Sequence, residues 1–403
     1  MRKSALYALG LVVATLVALG LVVLSSASEA NGIRLHNDAY FFMKRQAAYL
    51  VAGILVAVAM ALFDYRKWRE HVSLTILFYV LVVALLGAVF LFPAINGSQR
   101  WLSCGPLRLQ PSELAKLAVV IAVAVWMDKA GWRVELFRRG ALCPALIIAL
   151  LAALVLKEPD FGSTMVVGAA GFLVMFVAGT RLLHLLPFIG AGAIGFIVML
   201  SLNANRMRRL APYLNKLLAL FNGGGGEAAV AATTGAPSLA TMDPAEYQAY
   251  MARVAIQNGG IWGLGLGESM QKHAYLPEAH TDFIFAVGAE ELGLFFSIAV
   301  IALFAAFFAL SIYIARHAAD RFGRFLVLGM SFIIFFQAMF NLGVVCEAMP
   351  TKGMALPFFS YGGTNLLSAF FAVGTIFSVG LHSVQDRKRQ VLAKVVMRRR
   401  SDG

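Results

Sequence analysis

Stretches of about 20 apolar residues recur along the whole chain, near 5–25, 46–63, 72–92, 112–127, 141–157, 163–180, 186–203, 283–314, 325–347 and 366–384. A hydrocarbon core ~30 Å thick takes roughly 20 helical residues to cross. Backbone inside lipid must satisfy its own N–H and C=O groups, which leaves helices or closed barrels. The runs are continuous and lack period-two alternation, so they fit helices and not barrel strands. With 60% of 403 residues hydrophobic and 14% charged, a water-soluble globular domain is excluded. The expected architecture is an all-α polytopic membrane protein, a single transmembrane domain over 1–403 with about ten helices.

Basic residues in the short loops set the expected orientation. Arg2, Lys3, Arg66, Lys67, Arg69, Lys129, Arg133, Arg138, Arg139, Arg181, Arg316, Arg321, Arg324 and the tail from Arg387 to Arg400 all fall on one side of such a bundle, so both termini are expected to be cytoplasmic. The net charge of +13 is mostly this topological bias. No nucleic-acid-binding motif accompanies it, and the basic tail 385–403 suits anionic membrane lipids. The first apolar run is too long for a removable signal peptide, and SSASEA at 25–30 is a poor cleavage site, so a retained anchor is expected. Cys104, Cys143 and Cys346 have no metal-ligand spacing. Cys104 and Cys346 share the outer side, and two small buried thiols are expected in preference to a disulfide.

This topology leaves the long polar segments 26–45, 93–111, 204–281 and 348–365 outside. The largest, 204–281 between helices 7 and 8, is uneven. Its start, with Arg206, Arg208 and Arg209, is basic and amphipathic and suits a membrane surface. Residues 222–243 form a Gly/Ala/Thr-rich insert expected to be disordered. A helix is expected from Pro244, stopped at Gly259 and Gly260. WGLGLGES, which follows, superficially matches a dinucleotide fingerprint. No strand precedes it, so its glycines are read as a tight turn where backbone approaches a ligand or another helix.

YLPEAHTDFIFAVGAEELG at 275–293 places Glu278, His280, Thr281 and Asp282 at the mouth of an apolar run, with Glu290 and Glu291 two turns further in. Ionisable groups at membrane depth cost several kcal/mol unless paired or wet, which makes them functional candidates. The run after Asp282 would be roughly 45 Å long as a helix. It must therefore tilt, break near Gly288 or Gly293, or project its start above the membrane, where Asp282 would meet water. Glu290 and Glu291 are adjacent, so at most one is expected to face a cavity.

Four segments together, this one with NGSQRWLSCGPLRLQPSELAKL at 96–117, KEPDFGST at 157–164 and MPTKGMALPFFSYGGTN at 349–365, resemble the SEDS (shape, elongation, division and sporulation) family over essentially the whole chain. Lys352 and SMQK at 269–272 are more similar to the division-type (FtsW-like) members than to the elongation-type (RodA-like) ones. Ala274, Ala289, Glu347 and Thr364-Asn365 depart from the usual family residues, and the insert has no family counterpart. The resemblance implies polymerisation of lipid II into β-1,4 glycan strands on the outer face of the bacterial cytoplasmic membrane, at the division septum. It also implies as partners lipid II, a class B penicillin-binding protein transpeptidase and other division proteins.

Asp282 then corresponds to the family's essential aspartate, a general base in an inverting single displacement. Arg100 and Lys352 are the first candidates for the pyrophosphate, and Arg206 with its neighbours the second. Glu278, His280, Thr281 and Ser360 are candidate substrate contacts, with His280 expected mainly to hydrogen-bond loop backbone. Glu113 and Lys116 share a helical face, and a structural ion pair is expected among Lys116, Asp160 and Glu113. No dedicated metal site is apparent. A divalent cation, Mg²⁺ or Mn²⁺, would come with the substrate pyrophosphate. The competing functions are a lipid II flippase, an elongation-type polymerase, and a noncatalytic scaffold for the transpeptidase.

Overall fold

The structure is a computed structural model and describes residues 3–93, 99–104, 107–201, 244–272, 276, 279–349 and 353–401. Its helices are α1 (Lys3–His36), α2 (Phe41–Leu62), the single turn α3 (Lys67–Glu70), α4 (Val72–Ala88), α5 (Pro111–Ala130), α6 (Cys143–Lys157), α7 (Phe161–Ala178), α8 (Leu182–Ser201), α9 (Pro244–Gly259), α10 (Ile284–Arg316), α11 (Arg321–Val345) and α12 (Gly363–Ser401). Each apolar run of the sequence lies in one of them. Among the described residues eight helical stretches are long and apolar enough to cross a membrane. The other two are α5, which carries Glu113, Lys116, Asp128 and Lys129, and α8, whose apolar part is counted only over Leu182–Gly192. The chain is a polytopic all-α membrane protein.

The helix from Pro244 forms and ends at Gly259 as expected. Two polar segments differ from expectation. Segment 26–45 is mostly helix, because α1 runs on to His36 and α2 begins at Phe41. The serines that look like a loop are buried on one face of α1, where Ser26 Oγ donates to Glu291 Oε1 at 2.5 Å. Segment 93–111 holds a short antiparallel hairpin, β1 (Leu102–Cys104) with β2 (Leu107–Leu109). Cys143 and Cys346 are free thiols, and Cys346 is exposed instead of buried. The amphipathic stretch and the Gly/Ala/Thr-rich insert lie outside the described residues.

Helices α5, α7 and α11 form the centre. Gly329 lets α11 approach α5 and α7 closely, since a Cβ there would collide with Val120 and Val174. One end of the bundle is tied by charge. Arg66 pairs with Asp386 and lies 3.9 Å from Asp320, while Arg69 lies 3.4 Å from Asp320 and 3.6 Å from Asp128. Asp320 also caps α11, accepting from Gly323 N at 2.7 Å. Most of the basic loop residues gather at this end, opposite Asp282.

The long helix α10 is broken at Gly293, whose φ of 73° and ψ of −162° are nonhelical. Nearly every residue of Ile284–Glu291 is buried, whereas Leu294, Phe295 and Ile298 beyond the break are exposed. The break leaves backbone groups without helical partners, and WGLGLGES supplies them. Leu264 N and Gly265 N each donate at 3.0 Å, to Glu290 O and Glu291 O, and Leu294 N donates to Gly260 O at 3.0 Å. The glycines are therefore a clasp on another helix, one of the roles expected of them. Gly263 has a φ of 82°, and a Cβ on it would overlap Glu291 O. A Cβ on Gly293 would overlap Ile261 O and Gly263 N. Gly293→Ala is expected to cost about 1–3 kcal/mol from backbone strain alone, seen as a lower midpoint of thermal unfolding in detergent.

Candidate active site

Asp282 lies in a turn over 279–283, one residue ahead of Phe283, which occupies the N-cap position of α10. It therefore precedes the helix and does not cap it. Three successive carbonyls of this turn are held from elsewhere. Tyr361 N donates to His280 O at 3.0 Å, Ser360 Oγ to Thr281 O at 2.5 Å, and Asn341 Nδ2 to Asp282 O at 2.8 Å. Asn341 Nδ2 also donates to Met354 O at 2.6 Å, and Leu356 N to Ser360 Oγ at 2.7 Å. The Asp282 carboxylate abuts Gly353 so closely that a Cβ there would overlap Oδ2. Gly353 and the SYGG motif are thereby placed against the aspartate turn.

Ser360, expected as a substrate contact, has its hydroxyl engaged by backbone on both sides and acts as a brace. The described contact of Thr281 is likewise through its backbone carbonyl. The ring of His280 lies against Phe42 at 4.7 Å and meets Asn31 Nδ2 at 3.3 Å through Nδ1. Its ring partner is thus a side chain of α1, while its backbone joins Tyr361.

Lys116 is 1% exposed and pairs with Glu113 at 2.7 Å along α5. It also donates to Gln337 Oε1 at 2.7 Å, and Gln337 Nε2 donates to Ala355 O at 2.8 Å and to Asn365 Oδ1 at 3.1 Å. Glu113 accepts from Ser368 at 2.9 Å. Glu113–Lys116 is thus a buried ion pair. Asp160 accepts from Ser163 N at 3.2 Å as the N-cap of α7, from Gln110 at 3.3 Å and from Ser112 at 3.4 Å. Capping satisfies a carboxylate with N–H donors fixed in place by the helix itself. Asp160 therefore joins the starts of α5 and α7, and Gln110 N donating to Thr364 Oγ1 at 3.2 Å adds the start of α12. Met354 packs on Gly162, closing the ring of motifs.

Arg100 donates to the carbonyls of Glu158 at 3.1 Å and Pro159 at 2.7 Å, bracing a turn in which Pro159 has φ of 31°. These bonds use two of its five N–H donors, so the guanidinium keeps capacity for an anion. Glu158 is fully buried and neither carboxyl oxygen has a hydrogen-bond partner. Burial, with Asp160 adding to it and Arg100 opposing, pushes its pKa from 4.5 to about 8.

Glu290 and Glu291 are both buried, and both meet the 258–272 segment. Glu290 accepts from Asn258 Nδ2 at 3.2 Å, from Gln271 N at 3.4 Å and from Ser269 Oγ. Glu291 accepts from Ser26 and lies 3.2 Å from Lys272 Nζ, which also reaches Ser26 Oγ at 2.9 Å and Gly267 O at 2.5 Å. The clasp wraps the helix just ahead of its break, so side chains about 100° apart around the axis meet one continuous segment. Arg206, Glu278 and Lys352 lie outside the described residues, Lys352 being adjacent in the chain to Gly353. Sequence reasoning missed Gln337, Asn341 and Glu158 and gave Lys272 only motif value. Gln337 and Asn341 stand one turn apart in an apolar helix, which is a legible signal for a polar seam.

Described residues of the four motifs are thus linked to one another at one end of the bundle, with the Asp282 carboxylate against Gly353. The family model described as cell cycle protein, for FtsW, RodA and SpoVE, matches residues 7–385. The chain belongs to this family, the SEDS proteins. A probable peptidoglycan glycosyltransferase FtsW of Geobacter metallireducens is 36% identical over 370 residues, 92% of each chain, and one of Thioalkalivibrio sulfidiphilus is 36% identical over 383 residues, 94% of this chain and 90% of its own. Among solved structures, rod shape determining protein RodA of Thermus thermophilus superposes with a TM-score of 0.65 at 26% identity, covering 92% of this chain and 95% of that one. A chain of a peptidoglycan synthase complex that coordinates polymerization and crosslinking gives 0.66 at 26% identity, covering 94% and 98%.

Two predictions test how this SEDS site is held together. Lys116→Met strands Glu113 and should cost about 3–5 kcal/mol, whereas the pair replacement Glu113→Gln with Lys116→Met should cost less; unfolding midpoints compare them. For Glu158 the carboxyl is neutral in folded and unfolded chains below pH 4.5, and between there and about 8 only the unfolded chain ionises. Stability therefore falls as pH rises through that window and levels off above it, by at most about 5 kcal/mol. Glu158→Gln should abolish that slope and match or exceed the wild-type melting temperature at pH 8.

Proposed function

We propose that this chain is a peptidoglycan glycosyltransferase of the FtsW type that polymerises lipid II on the outer face of the bacterial cytoplasmic membrane during division. The observation that carries the reading is the Asp282 carboxylate, set against Gly353 where the family's motifs converge. The relatives' names supply the reaction class, and the gathering of basic loops at the opposite end of the bundle supports an outward-facing Asp282.

Asp282 accepts the proton of the 4-OH of one GlcNAc as that oxygen attacks C1 of the other substrate's MurNAc. The O4–C1 bond forms, the bond from C1 to the phosphate oxygen breaks, and undecaprenyl pyrophosphate departs with its electron pair. An α-linked donor giving a β-1,4 product requires inversion, and no covalent nucleophile is needed. Fixing the backbone carbonyls on both sides of the aspartate positions its carboxylate, and a positioned base contributes ~10²–10⁴-fold. Arg100 and Lys352 supply positive charge for the leaving pyrophosphate. Among the described residues no group of three or more His, Cys, Asp or Glu side chains is placed to hold a metal ion, and every step is assigned to the chain's own residues. The clasp and the Glu113–Lys116–Gln337 network keep the elements beneath the site in register. A class B penicillin-binding protein is the partner that crosslinks the strand, and the septum is the site of action.

The test is incubation of purified protein, alone and with that partner, with lipid II, reading glycan polymer on a gel. Wild type should polymerise, and Asp282→Asn and Asp282→Ala should lose at least ~10²-fold in rate while retaining the wild-type melting temperature. Equal polymer from wild type and both variants would remove the catalytic assignment. Translocation of lipid II across liposomes without polymer would point to a flippase.

A further inference from the structure

At the basic end, on the opposite side of the bilayer from Asp282 in the proposed orientation, α7, α10 and α11 leave a cavity of about 300 Å³ between them, open on one side. Its walls are apolar, with Leu173 and Val177 from α7, Phe308 from α10 and Leu328 from α11, and its rim carries Arg316 and Arg324. The volume sits at the lower bound of ligand pockets, ~300–1,000 Å³.

The two arginines differ from Arg66, Arg69, Arg181 and Arg321. Arg66 and Arg69 are held by Asp320, Asp386 and Asp128, Arg181 by Glu135 at 2.7 Å, and Arg321 by the carbonyl of Ala178 at 3.2 Å. Arg316 and Arg324 are exposed, and among the described residues neither guanidinium makes a hydrogen bond or ion pair. The acid nearest in sequence, Asp320, is spent on Arg66, Arg69, Tyr65 and the cap of α11. Arg316 stands in the last turn of α10, where the helix dipole favours a cation. Arg324 stands at the start of α11, which Asp320 already caps, so that its guanidinium is left for an anion.

We infer that this cavity binds an anionic glycerophospholipid, with its phosphate between Arg316 and Arg324 and an acyl chain along the apolar walls. Topological charge bias explains arginines at this end but not an apolar slot beneath two of them. The slot explains why the anion is a lipid and not free phosphate. From Arg316 down to Phe308 is eight residues of helix, about 12 Å at 1.5 Å per residue, a depth that admits the upper part of an acyl chain. Basic pockets between transmembrane helices near the cytoplasmic surface take anionic headgroups by this same combination. The site shares none of the residues assigned to Asp282's chemistry, so it stands or falls independently of the glycosyltransferase reading.

The test is native mass spectrometry of the full chain in micelles equilibrated with equal amounts of phosphatidylglycerol and phosphatidylcholine. Wild type should retain one phosphatidylglycerol in several-fold excess over phosphatidylcholine. Arg316→Ala with Arg324→Ala should abolish that preference, and so should Leu328→Trp, which fills the slot and leaves both charges. The control Arg133→Ala with Arg138→Ala removes two other basic loop charges and should keep the preference. Undiminished retention in Leu328→Trp, or an equal loss in the control, would overturn the site. Complete displacement by inorganic phosphate at the lipid's concentration would also overturn it, by showing that the acyl chain adds nothing. Leu328→Trp decides the matter should the double arginine variant fail to fold.

Discussion

Carboxylates buried in an apolar bundle need donors, and meeting that need organises this protein. Glu290 and Glu291 sit fully inside the fold just before α10 breaks at Gly293, where the broken helix also exposes backbone carbonyls. Segment 258–272 meets most of both demands with N–H groups, Ser269, Asn258 and the ammonium of Lys272, and Ser26 of α1 adds a donor to Glu291. Each unpaired group there would cost several kcal/mol in a medium that offers no water. The clasp and the break therefore form one unit, and displacing either strands polar groups in the other.

The same logic holds the facing elements. Glu113 and Lys116 are a coupled pair on α5, and Gln337 extends the pair to the 353–361 segment. Asn341, one turn further along α11, grips Asp282 O and Met354 O together. Such a seam contributes little net stability compared with well-packed apolar residues. Its effect is geometric, since it fixes where the backbone on either side of Asp282 lies. Preorganisation of that kind is what a base needs if it is to meet a hydroxyl without first rearranging.

Much of this was legible in the sequence because hydropathy and charge act over whole segments. Every apolar run appears as a helix, α9 stops at Gly259, and the overlong run after Asp282 breaks at one of the two glycines named for it. The four motifs could be recognised separately, but their convergence depends on side-chain reach between helices distant in sequence. Lys116 illustrates the limit. Its helical partner Glu113 was visible at i−3, while its cross-helix partner Gln337 was not. The direction of Glu291 was equally hidden. A helical wheel separates it from Glu290 but does not show that a glycine-rich segment wraps both. Ser26 reads as loop because its buried acidic partner, Glu291, lies more than 260 residues away.

The central claim is that Asp282 acts as the base in a preorganised outer-face site. Its most direct test is the pH dependence of single-turnover lipid II polymerisation by the purified chain with its partner, wild type against Asp282→Asn. The account predicts a wild-type rate that rises with pH through one ionisation, and a residual rate in Asp282→Asn, lower by at least ~10²-fold, that lacks that limb. A variant with wild-type rate and an unchanged profile would contradict it.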